Sequence, residues 1–207
     1  MKKLMVIIAV VALIGSASAF DFTNKFGINA GVGMGIPIGD MPDMFPEDRG
    51  PALGGENGFK LIGNFSYGVT RSIVAMLGFS TGSYRITKVG NTTIDPHQQK
   101  VHDKITSFNG IVRYYLNLPG RPLMPYFQGG AGLHMVATEV KNVGQGTKDK
   151  ATKNCIGINM GAGFHLQPRK SFGIDVNLSF DFIFTSTDYN DINTKIFTIT
   201  AGPVFFF

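Results

Sequence analysis

Six side chains in this sequence carry the chemistry to be explained: Lys60, Arg113, Asp175, Asp181, His134 and His165. Two cations, two carboxylates and two imidazoles can form ion pairs, relay protons or, with a nucleophile, act as a general base. Each lies on the polar side of a stretch in which apolar and polar residues alternate. Lys60 and Asp181 should share one depth, and Arg113 and Asp175 another, so an internal ion-pair network is expected, because buried charge is costly unless paired. Asn29, Asn64, Asn109, Tyr115, Gln128, Asn159 and Asn177 fall on the same side and would complete its hydrogen bonding.

A catalytic reading of these groups is weaker. His165 and Asp175 resemble an imidazole and its orienting acid, but no G-x-S-x-G segment supplies a nucleophile. His134 has none evident either. GVGMG at residues 31–35 does not open a helix, so it is no dinucleotide loop. His97 and His102 share a segment without the further ligands a metal needs. Neither cofactor nor metal is expected, and the chain is read as no enzyme.

What must position these residues is a set of β-strands. From Phe172 to Thr185 the even positions are Phe, Ile, Val, Leu, Phe, Phe and Phe, while the odd ones run Gly, Asp, Asn, Ser, Asp, Ile and Thr. A strand sends alternate residues to opposite faces, whereas a helix would scatter the two classes. Ile156, Ile158, Met160, Ala162, Phe164 and Leu166 repeat the pattern. Eight such stretches are predicted, at about 26–39, 58–70, 73–84, 104–118, 125–138, 155–167, 171–185 and 196–207. Their connections alternate between short (71–72, 119–124, 168–170) and long (40–57, 85–103, 139–154, 186–195). Parity in the last short connection requires an odd number of residues. One permitted register sets His165 opposite Asp175, and a shift of two sets it opposite Gly173.

The fold class predicted is all-β: an eight-stranded antiparallel up-and-down transmembrane β-barrel. No apolar run after Ile14 reaches the ~20 residues of a spanning helix. Hydrocarbon offers no partner to an open sheet edge, so the first and last strands must pair. Alternation alone would also suit a soluble barrel with its apolar face inward. Three features favour lipid outside. The polar face is rich in glycine (Gly27, Gly31, Gly33, Gly35, Gly157, Gly161, Gly163), which suits a tightly curved interior. The apolar face is bulky and carries no charge within the strand cores. Aromatic residues near strand ends (Phe26, Tyr67, Phe127, Phe172, Phe184, Phe205) resemble interfacial girdles.

Residues 1–19 read as a signal peptide, with Lys2 and Lys3 before the apolar run Leu4–Ile14 and Ala17-Ser18-Ala19 as the cleavage site; residues 20–207 form the barrel domain. Loss of Lys2 and Lys3 lowers the formal charge from +5 to +3, all fourteen acids lying beyond Ala19. The basic balance does not imply nucleic acid, because the chain is exported and its lysines fall mainly between strands. Cys155 stands alone, so no internal disulfide is available. Lys141, Lys148, Lys150 and Lys153 could attract lipopolysaccharide phosphates, and the acids Asp40, Asp43, Glu47, Asp48 and Glu56 could attract a cation.

The glycine-rich first strand GINAGVGMGIPIGD, the segment PYFQGGAGLHM (125–135) and the terminal Phe207 together resemble small outer-membrane β-barrels, the opacity-type surface proteins and the outer membrane protein A transmembrane domain. The resemblance implies location in a bacterial outer membrane with periplasmic termini, and contact with lipids and lipopolysaccharide. It also implies that Phe207, Phe205 and Phe197 form the signal read by the barrel-assembly machinery. The family is functionally mixed. The expected role is envelope structure or surface contact and adhesion, with an external ligand met by the long loops. The alternatives are a narrow pore and, behind it, a lipid-modifying enzyme.

Overall fold

The computed structural model describes residues 21–38, 40–41, 52–53, 56–86, 88–89, 92–93, 99–116, 122–142, 148–186 and 191–207. The signal-peptide segment, His97 and the acids Asp43, Glu47 and Asp48 lie outside them.

Eight strands form the barrel: β1 (Phe26–Ile38), β2 (Gly58–Gly68), β3 (Ile73–Ile86), β4 (Gln99–Tyr115), β5 (Leu123–Asn142), β6 (Lys148–Arg169), β7 (Phe172–Ser186) and β8 (Asp191–Phe206). Each pairs antiparallel with its neighbours in sequence, and β1 closes on β8. Two short ladders lie outside the barrel: Asp40–Met41 with Ala52–Leu53, and Lys88–Val89 with Thr92–Thr93.

The register fixes the barrel's dimensions. Stepping across partners from Val204 passes through Asn29, Asn64, Gly78, Asn109, Gly132, Gly157 and Ile183, and returns to β8 at Thr194. The circuit is displaced by ten residues, from 204 to 194. Ten residues of rise over eight strand spacings give a tilt of about 41° and a backbone radius of about 8 Å. Side chains fill a cylinder of that width.

The faces follow the sequence parity. In β7 the odd residues from Gly173 to Ile183 are buried, and Ile174, Leu178, Phe180 and Phe184 are exposed outward. Outward residues include Leu77, Phe108, Phe127, Leu133 and Ile156, so the exterior is apolar where hydrocarbon would lie. Phe26 packs on Tyr67 at 5.0 Å and Phe172 on Phe205 at 5.4 Å, both beside the short-turn rim.

Several expectations require correction. The hairpins outlast the apolar band: β5 and β6 run 20 and 22 residues, about twice the 9–11 a crossing needs. Inward Val101, Val136 and Val140 keep packing beyond that level, so pairing continues although the outward residues have turned polar. Glu139, Lys141, Lys150 and Lys153 are therefore on strands, not in a loop. Lys104 and Lys195 are exposed on the outward face beyond the strand cores, and Lys195 lies on β8 rather than in a loop. The last short connection is even. Arg169 pairs with Phe172 across the two-residue turn Lys170-Ser171, and a register shift between Leu166 and Arg169 restores the parity. It leaves His165 opposite Asp175.

Interior glycines are required by what lies over them. A Cβ on Gly163 would enter the Tyr126 ring and the Val176 carbonyl. Gly35, Gly58 and Gly82 face Tyr84 in the same way, so its ring lies where three strands carry no side chain. Outward Gly63, Gly110 and Gly129 meet nothing closer than 3.9 Å, and no contact within the fold demands them.

Candidate functional site

The lumen is layered. At the short-turn rim Phe22, four residues before β1, folds back into the barrel and is 1% exposed. Its ring lies 4.3 Å from Tyr115, 5.5 Å from Phe206 and 6.2 Å from His165. A tight turn holds it there. Asn24 takes a left-handed conformation (φ 60°), and its amide donates to Gly68 O at 2.9 Å. The Asp21 carboxylate accepts from the Thr23 hydroxyl and amide, which hold its pKa below the usual carboxylate range.

Behind Phe22 lies the first ion pair. Arg113 Nη1 donates to Asp175 Oδ1 at 2.9 Å, and both residues are 4% exposed. The guanidinium also donates to Gln128 Oε1 and the Tyr115 hydroxyl, and its carbon sits 3.8 Å from the Tyr126 ring centre. The Tyr126 hydroxyl donates to Asp175 Oδ2 at 3.0 Å. His165 Nδ1 is 3.6 Å from Asp175, too far for a hydrogen bond, while its Nε2 lies 3.2 Å from Gln167 Oε1.

The second pair is deeper toward the long-loop rim. Lys60 Nζ is 2.6 Å from Asp181 Oδ2. Gln128 donates to Asn159, and Asn159 to Asp181, so one chain of side chains joins the two pairs. A polar cavity of about 40 Å³ lies among Lys60, Asn109, Arg113, Asn159, Asn177 and Asp181. It has room for about two or three waters. Asn109 Oδ1 and Asn177 Oδ1, without partners among the described residues, are acceptors such waters would serve. Above it, Tyr84, Ile105, Val136, Cys155, Ile183 and Ile196 form an apolar layer.

His134 is hydrogen-bonded to neither pair, and its surroundings correct the expectation that it has no nucleophile beside it. Ser107 Oγ lies 2.7 Å from His134 Nδ1. The dyad is buried inside the wall of the lumen. Asp103, expected between strands, also points inward and accepts from the Thr138 hydroxyl. Sequence parity would have placed Ser107, two residues from Asn109, on the inner face. No pattern marked Phe22, which precedes the alternation.

A family model described as an outer membrane protein beta-barrel domain matches residues 7–205. The chain belongs to that family. No curated protein sequence matches it. Among solved structures, this barrel is similar to Neisserial surface protein A (16% identity, TM-score 0.59, covering 87% of this chain and 96% of that one). It is similar to Ail, the attachment invasion locus protein of Yersinia pestis, in complex with the heparin analogue sucrose octasulfate (14% identity, TM-score 0.55, 89% and 99% covered). OprG from Pseudomonas aeruginosa follows at 13% identity, TM-score 0.53, with 94% and 99% covered. At these identities the likeness is one of fold. The outer-membrane barrel thus resides in the bacterial outer membrane, and its apolar exterior contacts lipid.

Proposed function

We propose that this outer-membrane barrel is a non-conducting, non-enzymatic scaffold that presents its long-loop rim outside the cell for surface contact. Its termini and short turns face the periplasm. The observation that carries the reading is the filled lumen. An ion entering from the short-turn rim meets Phe22, then the Arg113–Asp175 pair clamped between Tyr115 and Tyr126, then the Lys60–Asp181 pair, and finally an apolar layer. Passage would mean separating buried charges that the low-dielectric surroundings hold together. Ail is named for attachment and invasion and was solved with a heparin analogue, and Neisserial surface protein A is named for the surface. Those descriptions support surface contact here. Phe207, 74% exposed and donating its amide to Phe26 O at 2.9 Å, ends the chain on the outer face with Phe205 and Phe197. Together they suit the assembly signal.

Planar-bilayer recording of the refolded barrel tests the lumen. The expected result is no unit conductance at physiological salt. A reproducible unit conductance altered by Arg113→Ala or Asp181→Ala would establish the pore instead. Catalysis is tested with phospholipid and lipid A as substrates. No acyl release is expected, because Ser107 and His134 are sealed from lipid. Release abolished by Ser107→Ala would overturn the non-enzymatic reading.

A further inference from the structure

The outer face of β3 and β4 changes character in three steps toward the long-loop rim. Phe79 and Phe108 come first, a tilted ring pair 5.1 Å apart and exposed to the exterior. Thr81 and Thr106 follow, their hydroxyls 3.4 Å apart. Beyond them Ser83 stands opposite Lys104, and Arg85 opposite His102. Lys104 is exposed with no ion-pair partner among the described residues. Arg85 is tied only loosely, 3.9 Å from Glu56 with both side chains solvated. Within two adjacent strands the surface therefore runs from aromatic to hydroxylic to cationic. The sequence of groups matches an amphiphile with acyl chains below and phosphate above. The face of β7 and β8 lacks the hydroxyl step, since Phe182 and Phe184 follow the Phe180–Phe197 ring pair directly and exposed Lys195 stands opposite Phe182.

We infer that the β3–β4 face binds a phosphorylated glycolipid of the outer leaflet. Arg85 and Lys104 meet its phosphate, Thr81, Ser83 and Thr106 its sugar hydroxyls, and Phe79 and Phe108 its acyl chains. Lys and Arg at a membrane surface attract anionic headgroups through charge, their apolar stems lying along the hydrocarbon boundary. Because the glycolipid occupies the outer leaflet, the inference rests on the reading that the long-loop rim faces outside.

The test uses the whole refolded barrel and three probes: bis-phosphorylated lipid A, its dephosphorylated form, and phosphatidylglycerol. Lipid retained after detergent washing is read by native mass spectrometry. Bis-phosphorylated lipid A should be retained best, and Lys104→Gln and Arg85→Gln should each lower its retention about fivefold. Lys25→Gln, beside the other rim, should leave retention unchanged. Equal retention of dephosphorylated lipid A, or unchanged retention when Lys104→Gln and Arg85→Gln are combined, overturns the phosphate contact. Preference for phosphatidylglycerol assigns the face to a phospholipid and overturns the glycolipid. Orientation is read separately, by labelling a Thr152→Cys variant on intact cells with an impermeant maleimide; Thr152 is exposed and Cys155 buried. Failure to label overturns the outward rim whatever the lipid measurements give.

Discussion

Asp175→Ala is expected to lower the stability of the folded barrel by about 3–5 kcal/mol, the usual cost of leaving one member of a buried ion pair without its partner. Arg113 would keep Gln128 and Tyr115 as hydrogen-bond acceptors but lose the only carboxylate within its reach among the described residues. Tyr126 would lose its Asp175 acceptor and fall back on the Val176 carbonyl at 3.3 Å. Urea unfolding in lipid vesicles, followed by the gel-mobility difference between folded and unfolded barrel, measures the change. The double replacement Arg113→Met with Asp175→Leu should recover most of the loss, because removing both charges removes the desolvation penalty with the attraction. A single variant as stable as the parent would mean that the Arg113–Asp175 pair does not stabilise the folded barrel.

Phe22→Ala is expected to lower stability by about 3 kcal/mol in the same assay, as the loss of a fully buried aromatic side chain generally does. The ring covers Tyr115, Phe206 and His165, and no other described side chain closes that rim as fully. Phe22→Leu should cost less, since it retains most of the apolar volume. Gly68→Ala should act in the same direction from the opposite side, because a Cβ there would overlap the Phe22 carbonyl. Conductance should remain absent in all three, the Arg113 cluster lying deeper than the ring. A channel opened by Phe22→Ala would show that the aromatic ring, not the ion pairs, seals the lumen.

The lipid-facing residues were legible as far as the apolar alternation ran. The even residues from Phe172 to Phe184 and from Ile156 to Leu166 face outward because the strand period is two and the membrane rewards one parity. The same rule sent Lys60, Arg113, Asp175 and Asp181 inward. It failed where its cause ended. At Gln99–Asp103 and Glu139–Asn142 the outward residues turn polar, so the pattern no longer reads as membrane strand, although the backbone ladder continues. Parity was misleading at the β6–β7 turn, because a register shift absorbs one residue without altering the alternation on either side.

By itself the sequence determined the closed all-β architecture, its strand order and which side chains share the interior, since all three follow from local alternation and from the need to leave no backbone group unpaired in hydrocarbon. Only the tertiary structure decided at what distances the interior groups meet and which further side chains join them. Depth in a tilted barrel depends on a ten-residue shear summed over eight registers, and no single strand encodes that sum. That sum brings Lys60 to Asp181 and Arg113 to Asp175 across the lumen, single registers set Ser107 against His134 and Asn159 against Asp181, and Phe22 from outside the strands closes the cylinder.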